Sequence, residues 1–184
     1  MKPKRYTRRP DWLFVYGGPL DAALRARCCP NAGIAGPARL PGHTLGFFGY
    51  TARWDGAEAA VFESPGAEVW GLLMALGRGE ADALDQEMGV HEDGSGPHFL
   101  CPVEVEDAQG RRHEALMHQL AVLGPPRTPS REYLARLVAG ATAAGLPAAW
   151  CRRLAGFEAH AAGYPVPHGQ RTIRVGVTAG TCHC

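Results

Sequence analysis

At 184 residues, with 46% apolar and 20% charged side chains, the chain has the size and composition of one globular domain with a core, or of one domain and a tail. Its formal net charge of +1 supplies no field suited to nucleic acid or an acidic membrane surface. The 24 glycines and 15 prolines point to a turn-rich α+β or β-barrel architecture, short of collagen-like or disordered composition.

Residues 1–11 carry Lys2, Lys4, Arg5, Arg8 and Arg9 and read as a solvated basic arm. The apolar stretch that follows is too short for a signal peptide, and no run nears the roughly 20 residues that span a bilayer. A cytoplasmic protein is expected. Leu13-Phe14-Val15-Tyr16 reads as a buried strand entering a tight Gly17-Gly18-Pro19 loop. Asp21 caps a short helix through Arg27, stopped by Pro30. Two strands, Ala35 to Leu40 and His43 to Tyr50, are expected around a Pro41-Gly42 turn. Ala57 to Phe62 is a further strand, Ser64-Pro65-Gly66 a turn, and Val69 to Leu76 a strand buried on both faces.

Gly79 to Met88 reads as a helix with Leu84 and Met88 on one face. A polar loop from His91 to Pro97 leads to strands Phe99 to Val105 and Ala115 to Val122, joined around Gln109-Gly110. Ser130 caps a helix from Arg131 to about Ala144, where Tyr133, Leu134, Leu137 and Val138 form one stripe and Gly145 and Pro147 end it. A last helix runs from Ala148 to Leu154. The periodic pattern then fails, and only Thr172 to Val177 looks strand-like in the extension 156–184.

Several segments, in order, carry a resemblance. Phe14-Val15-Tyr16-Gly17-Gly18-Pro19-Leu20, Ala38-Arg39-Leu40 with Leu45-Gly46-Phe47, and Ala59-Ala60-Val61-Phe62-Glu63-Ser64-Pro65-Gly66 with Glu68-Val69-Trp70-Gly71 come first. Leu84-Asp85-Gln86-Glu87-Met88-Gly89-Val90 follows, and then Pro129-Ser130-Arg131-Glu132-Tyr133 with Gly145-Leu146-Pro147. Together they resemble the γ-glutamylcyclotransferase-like (AIG2-like) family over roughly residues 12–155. The resemblance implies an α+β fold, a small mixed β-barrel flanked by helices. It also implies an intramolecular transfer in which the α-amine of a γ-glutamyl group attacks its own γ-carbonyl, releasing 5-oxoproline and an amine.

That α-amine has a pKa of roughly 8, so a base must take its proton and an acid must protonate the leaving nitrogen. One carboxylate serves both roles, and positioned proton transfer is worth about 10²–10⁴-fold. The resemblance puts the family's catalytic Glu at Met88, whose thioether is only a weak acceptor. Glu87 is its neighbour, but adjacent helical residues point about 100° apart, so Glu87 reaches the same place only from a distorted helix end. Glu92 and Asp93 in the next loop are the other displaced candidates, and a histidine there, His91 or His98, offers a base near neutral pH. The resemblance makes Tyr16, Gly17, Gly18, Pro19 and Leu20 the substrate loop, whose amides hold the glutamyl α-carboxylate. Pro19 removes one donor, while Gly18 keeps its amide and admits close approach.

Two readings follow: an enzyme cyclising or cleaving γ-glutamyl amides with a displaced acid, or a lapsed relative that binds a small acidic ligand or a protein partner. No cofactor is expected, nor a nucleic-acid or membrane partner, and the chain is read as a monomer or homodimer. Of the six cysteines, vicinal Cys28 and Cys29 are expected as free thiols, one of them buried. Cys182, His183 and Cys184 are metal-type ligands by chemistry, with His160 and His168 as partners, but they lack Cys-x₂-Cys spacing, and a frayed terminus is the expectation.

Overall fold

The computed structural model describes residues 12–168. The basic arm, the strand expected at Thr172 to Val177, and Cys182, His183 and Cys184 lie outside the described residues. Among the described residues, five strands form a closed barrel in the order β1-β3-β2-β4-β5.

The first strand, β1 (Trp12–Val15), buries Leu13, Phe14 and Val15 together. Consecutive side chains of a strand point to opposite faces, so burial of all three requires cover on both. β1 pairs antiparallel with β3 (Gly56–Ala75) from Trp12↔Ala75 to Val15↔Leu72, and parallel with β5 (Arg112–Leu120) at Leu13↔Leu116. That parallel contact closes the barrel and makes it mixed. β4 (His98–Asp107) forms a hairpin with β5 and meets β2 (Gly33–Thr51) at Ala38↔Asp107.

β2 and β3 are each one continuous strand, where the sequence suggests two strands and a turn in each. Pro41 pairs with Glu68 and His43 with Glu63. Gly42 therefore stands opposite residues 64–67, and the Pro41-Gly42 and Ser64-Pro65-Gly66 turn signals face each other across one irregularity in the ladder. Turn chemistry here bends a long ribbon instead of ending it, as bulges do in barrels.

Among the described residues, four α-helices flank the barrel: α1 (Ala22–Cys28), α2 (Arg78–Met88), α3 (Arg131–Ala143) and α4 (Ala148–Ala155). The Asp21 carboxylate accepts from the Ala23 N–H (2.9 Å) and pairs with Arg136 (2.7 Å), which ties the start of α1 to α3. Ser130 caps α3 by accepting from the Tyr133 N–H (3.3 Å). α3 lies directly on the turn after β1: a Cβ at Gly140 would overlap the Leu20 carbonyl. Cys28 and Cys29 are free thiols and Cys29 is buried. Among the described residues no helix is long and apolar enough to cross a membrane.

Candidate active site

A cavity of about 760 Å³ opens beside the C-terminal end of β1, within the range of small-molecule sites. One wall is the turn after β1. A 3₁₀ turn over Gly18–Leu20 uses the Leu20 N–H to Gly17 O (2.8 Å) and the Asp21 N–H to Gly18 O (3.0 Å). The Arg25 guanidinium donates to the Pro19 carbonyl (2.9 Å) and holds the turn from behind. Among the described residues the Gly18 N–H has no partner, so one donor remains for a ligand.

The opposite wall is the end of α2. Gly89 adopts φ 70°, the Val90 N–H reaches Asp85 O (2.8 Å) and the Gly89 N–H reaches Gln86 O (3.1 Å). This paired motif stops a helix cleanly and leaves the last turn regular. Met88 is the final helical residue. Its carbonyl, one of those a helix end leaves without a partner, accepts from His98 Nδ1 at 2.7 Å. His98, on β4, is 8% exposed. Burial drives its pKa down from 6.5 to about 4, against the raising effect of the Met88 hydrogen bond.

Glu58 projects into the same cavity from β3. Its side chain is 17% exposed and its Oε2 lies 3.9 Å from His98 Nε2. No hydrogen bond reaches it among the described residues. Burial raises its carboxyl pKa, with Arg53 partly opposing. Tyr16 and Tyr133 border it; burial raises both phenols and the Glu58 charge raises them further. The Tyr16 hydroxyl donates to the His118 carbonyl (2.8 Å), and Tyr133 accepts from the Ala59 N–H (3.3 Å). The turn is close by: a Cβ on Gly17 would stand 3.9 Å from the Ala59 Cβ and 4.0 Å from the Tyr133 hydroxyl.

Comparison with known proteins gives this arrangement a family. Residues 68–154 match the model of the AIG2-like family. Human γ-glutamylcyclotransferase is 30% identical over 149 residues, covering 79% of this chain and 77% of the human one, and the mouse protein is 28% identical over the same length. A solved γ-glutamyl cyclotransferase structure superposes with a TM-score of 0.76 at 26% identity, covering 84% of this chain and 92% of that one. The chain belongs to the γ-glutamylcyclotransferase family.

Against that family resemblance, the expected site residues separate into groups. Tyr16, Gly17, Gly18, Pro19 and Met88 line the cavity, while Leu20 is buried behind the turn. Glu87 also lines it, but its carboxylate is ion-paired with Arg27 (2.8 Å) and with Arg53. The helix end is regular, and the Glu87 carboxylate is committed to these two arginines. Glu92 and Asp93 lie on the exposed loop outside the cavity wall, and the Asp93 carboxylate accepts from Ser95 N (3.0 Å) and Oγ (2.7 Å). His91 is exposed beside them, whereas His98 is buried, contrary to the expectation of a loop histidine. His160 is held by Thr128 and by the Asp55 carbonyl (2.7 Å), and the described residues contain no group of three metal-type ligands.

Two charged residues of the cavity are absent from the expected set: Glu58 and Arg53. Glu58 has a readable signal, since a lone acid inside the apolar strand Ala57 to Phe62 is costly wherever that strand is buried. Arg53 precedes Trp54 in a loop, and nothing local marks it.

Proposed function

We propose that this γ-glutamylcyclotransferase-family chain acts on γ-glutamyl amides, cyclising them to 5-oxoproline with release of the amine. The observation carrying this reading is that an ionisable carboxyl group, Glu58, stands in the cavity that also presents the Gly18 amide. The amide offers a donor to the substrate α-carboxylate, and a buried carboxyl is the group type that moves a proton between two nitrogens. The size of the cavity suits a γ-glutamyl dipeptide.

A second reading is favoured by Met88 and Pro19. Both replace groups the chemistry would use, a proton carrier and an amide donor, and a lapsed relative that binds a small acidic ligand retains the cavity without them. Incubation with γ-glutamyl-alanine and chromatographic detection of 5-oxoproline separates the two. Release by the wild-type chain supports the enzyme. A silent wild type that gains release in the Met88→Glu, Gly18→Ser, Pro19→Asn triple variant supports the lapsed relative.

A further inference from the structure

We propose that Glu58 is the proton carrier of this cavity and that His98 positions and tunes it, so that a pair spanning β3 and β4 takes over the task Met88 cannot perform. The proposal rests on the γ-glutamyl amide reading above.

Geometry selects Glu58 among the acids. Glu87 is bound by two arginines and Glu92 is outside the cavity wall. Among the described residues, Glu58 alone combines a cavity position with a carboxyl that accepts no hydrogen bond. Its Oε2 lies 3.9 Å from His98 Nε2. A carbonyl oxygen only accepts, so the 2.7 Å contact to Met88 O requires a hydrogen on His98 Nδ1. In the neutral ring Nε2 is then a lone pair, and it is this atom that faces Glu58. The backbone of Met88 thus fixes the tautomer of the imidazole beside the carboxyl. A separation of 3.9 Å exceeds a hydrogen bond, so a small rotation of either side chain is needed to share a proton.

The setting is consistent with a group meant to change protonation. Burial favours the neutral acid of Glu58 and the neutral imidazole of His98, the combination in which one proton lies between them. The other charged or titratable groups around the pair come from several elements. They are Tyr16 from β1, Arg53 from the β2–β3 loop, Glu87 from α2, Cys101 from β4, His118 from β5 and Tyr133 from α3. Arg53 is the cation that keeps the carboxylate form of Glu58 accessible.

The step balances. The α-ammonium first yields one proton to solvent. The free amine attacks the γ-carbonyl carbon, forming the ring C–N bond as the C=O π pair moves to oxygen. The ionised carboxylate of Glu58 takes a second proton from the attacking nitrogen and returns it to the leaving nitrogen as the old C–N bond breaks and the carbonyl reforms. The amine product regains the solvent proton. Nothing is oxidised or reduced, and Glu58 ends as it began.

Two measurements test this. In 5-oxoproline release from γ-glutamyl-alanine, Glu58→Gln is expected to lower kcat by roughly 10²-fold or more. His98→Asn, whose amide N–H still donates to Met88 O, is expected to keep substantial activity. It should move the acidic limb of the pH profile to lower pH by about one unit, because the lone pair that favours protonated Glu58 is gone. Independently of activity, the ¹⁵N imidazole signals of His98 are expected to report a neutral Nδ1–H ring at pH 7, with an Nε2 shift that responds to Glu58→Gln. Undiminished release in Glu58→Gln overturns the catalytic role. An Nε2 signal indifferent to Glu58→Gln overturns the pairing, whether or not the wild type turns over. A silent wild type with a responsive imidazole supports the pairing but overturns the γ-glutamyl amide activity and with it the catalytic role.

Discussion

His98 shows how one side chain is governed by competing terms. The helix end and the Met88 carbonyl both favour a cationic ring, yet burial outweighs them and the folded pKa falls to about 4 from 6.5. Between those values the unfolded chain binds the proton that the folded one refuses. Stability from this residue is therefore complete above pH 6.5 and is lost as the pH falls toward 4. The loss reaches about 3 kcal/mol. Glu58 acts in the opposite sense: its raised pKa means that the folded state gains relative stability as the pH falls through that value. Urea midpoints compared at pH 7 and pH 4.5 should therefore drop less in His98→Asn than in the wild type. An equal drop in both would remove the account of His98 as a buried neutral ring.

At the scale of elements, the site is held by close backbone approach between α3 and the turn after β1. Gly140 has no room for a side chain, because a Cβ there would overlap the Leu20 carbonyl, which is backbone and cannot swing aside. Gly140→Ala should push α3 off the turn and destabilise the fold by about 1–3 kcal/mol, the usual cost of overpacking. It should also weaken substrate binding, through displacement of Gly18. Denaturant unfolding and KM measure the two effects, and an unchanged midpoint would mean that α3 is not braced on the turn. Helix starts and stops are legible in the sequence because they rest on local chemistry: Asp21, Ser130 and Gly89 each do at their position what their residue type predicts. The long strands are less legible. Pro41-Gly42 and Ser64-Pro65-Gly66 carry the same signals as hairpin turns, and only their pairing across the ladder makes them a bend. Glu58 is legible only in part: a lone acid amid apolar strand residues is conspicuous, but it reads as solvent-facing unless the element covering that face is known.

In the whole molecule, the segment after α4 is what fastens the wall of the cavity that carries Arg53. Periodicity ends at Gly156, yet residues 157–168 lie against the barrel: Phe157 packs edge-on against Phe47 with ring centroids 4.9 Å apart. Beyond it, a short stretch supplies polar contacts to the β2–β3 loop, among them the His168 N–H to the Arg53 carbonyl (2.7 Å). His160 Nε2 donates to the Asp55 carbonyl (2.7 Å), the Gly163 N–H to the Asp55 carboxylate (2.6 Å), and the Tyr164 hydroxyl to the Ala52 carbonyl (2.6 Å). Asp55 sits at φ 50°, in the left-handed region, which Asp tolerates better than most non-glycine residues and which these contacts help to hold. Removing the stretch should release Asp55 first, then Arg53 beside it, and with Arg53 the cation that partly opposes the desolvation of Glu58. A chain ending at Glu158 should fold, since α4 and Phe157 remain. Its Tm should fall by about 4 °C, amide exchange across residues 50–55 should rise roughly tenfold, and the acidic limb of the 5-oxoproline profile should shift to higher pH. A chain ending at His168 keeps all of these contacts and should match the full-length protein in each measurement. If the shorter chain matched it too, the loop would be rigid without its brace, and Arg53 would be held from the α2 side alone, through Glu87.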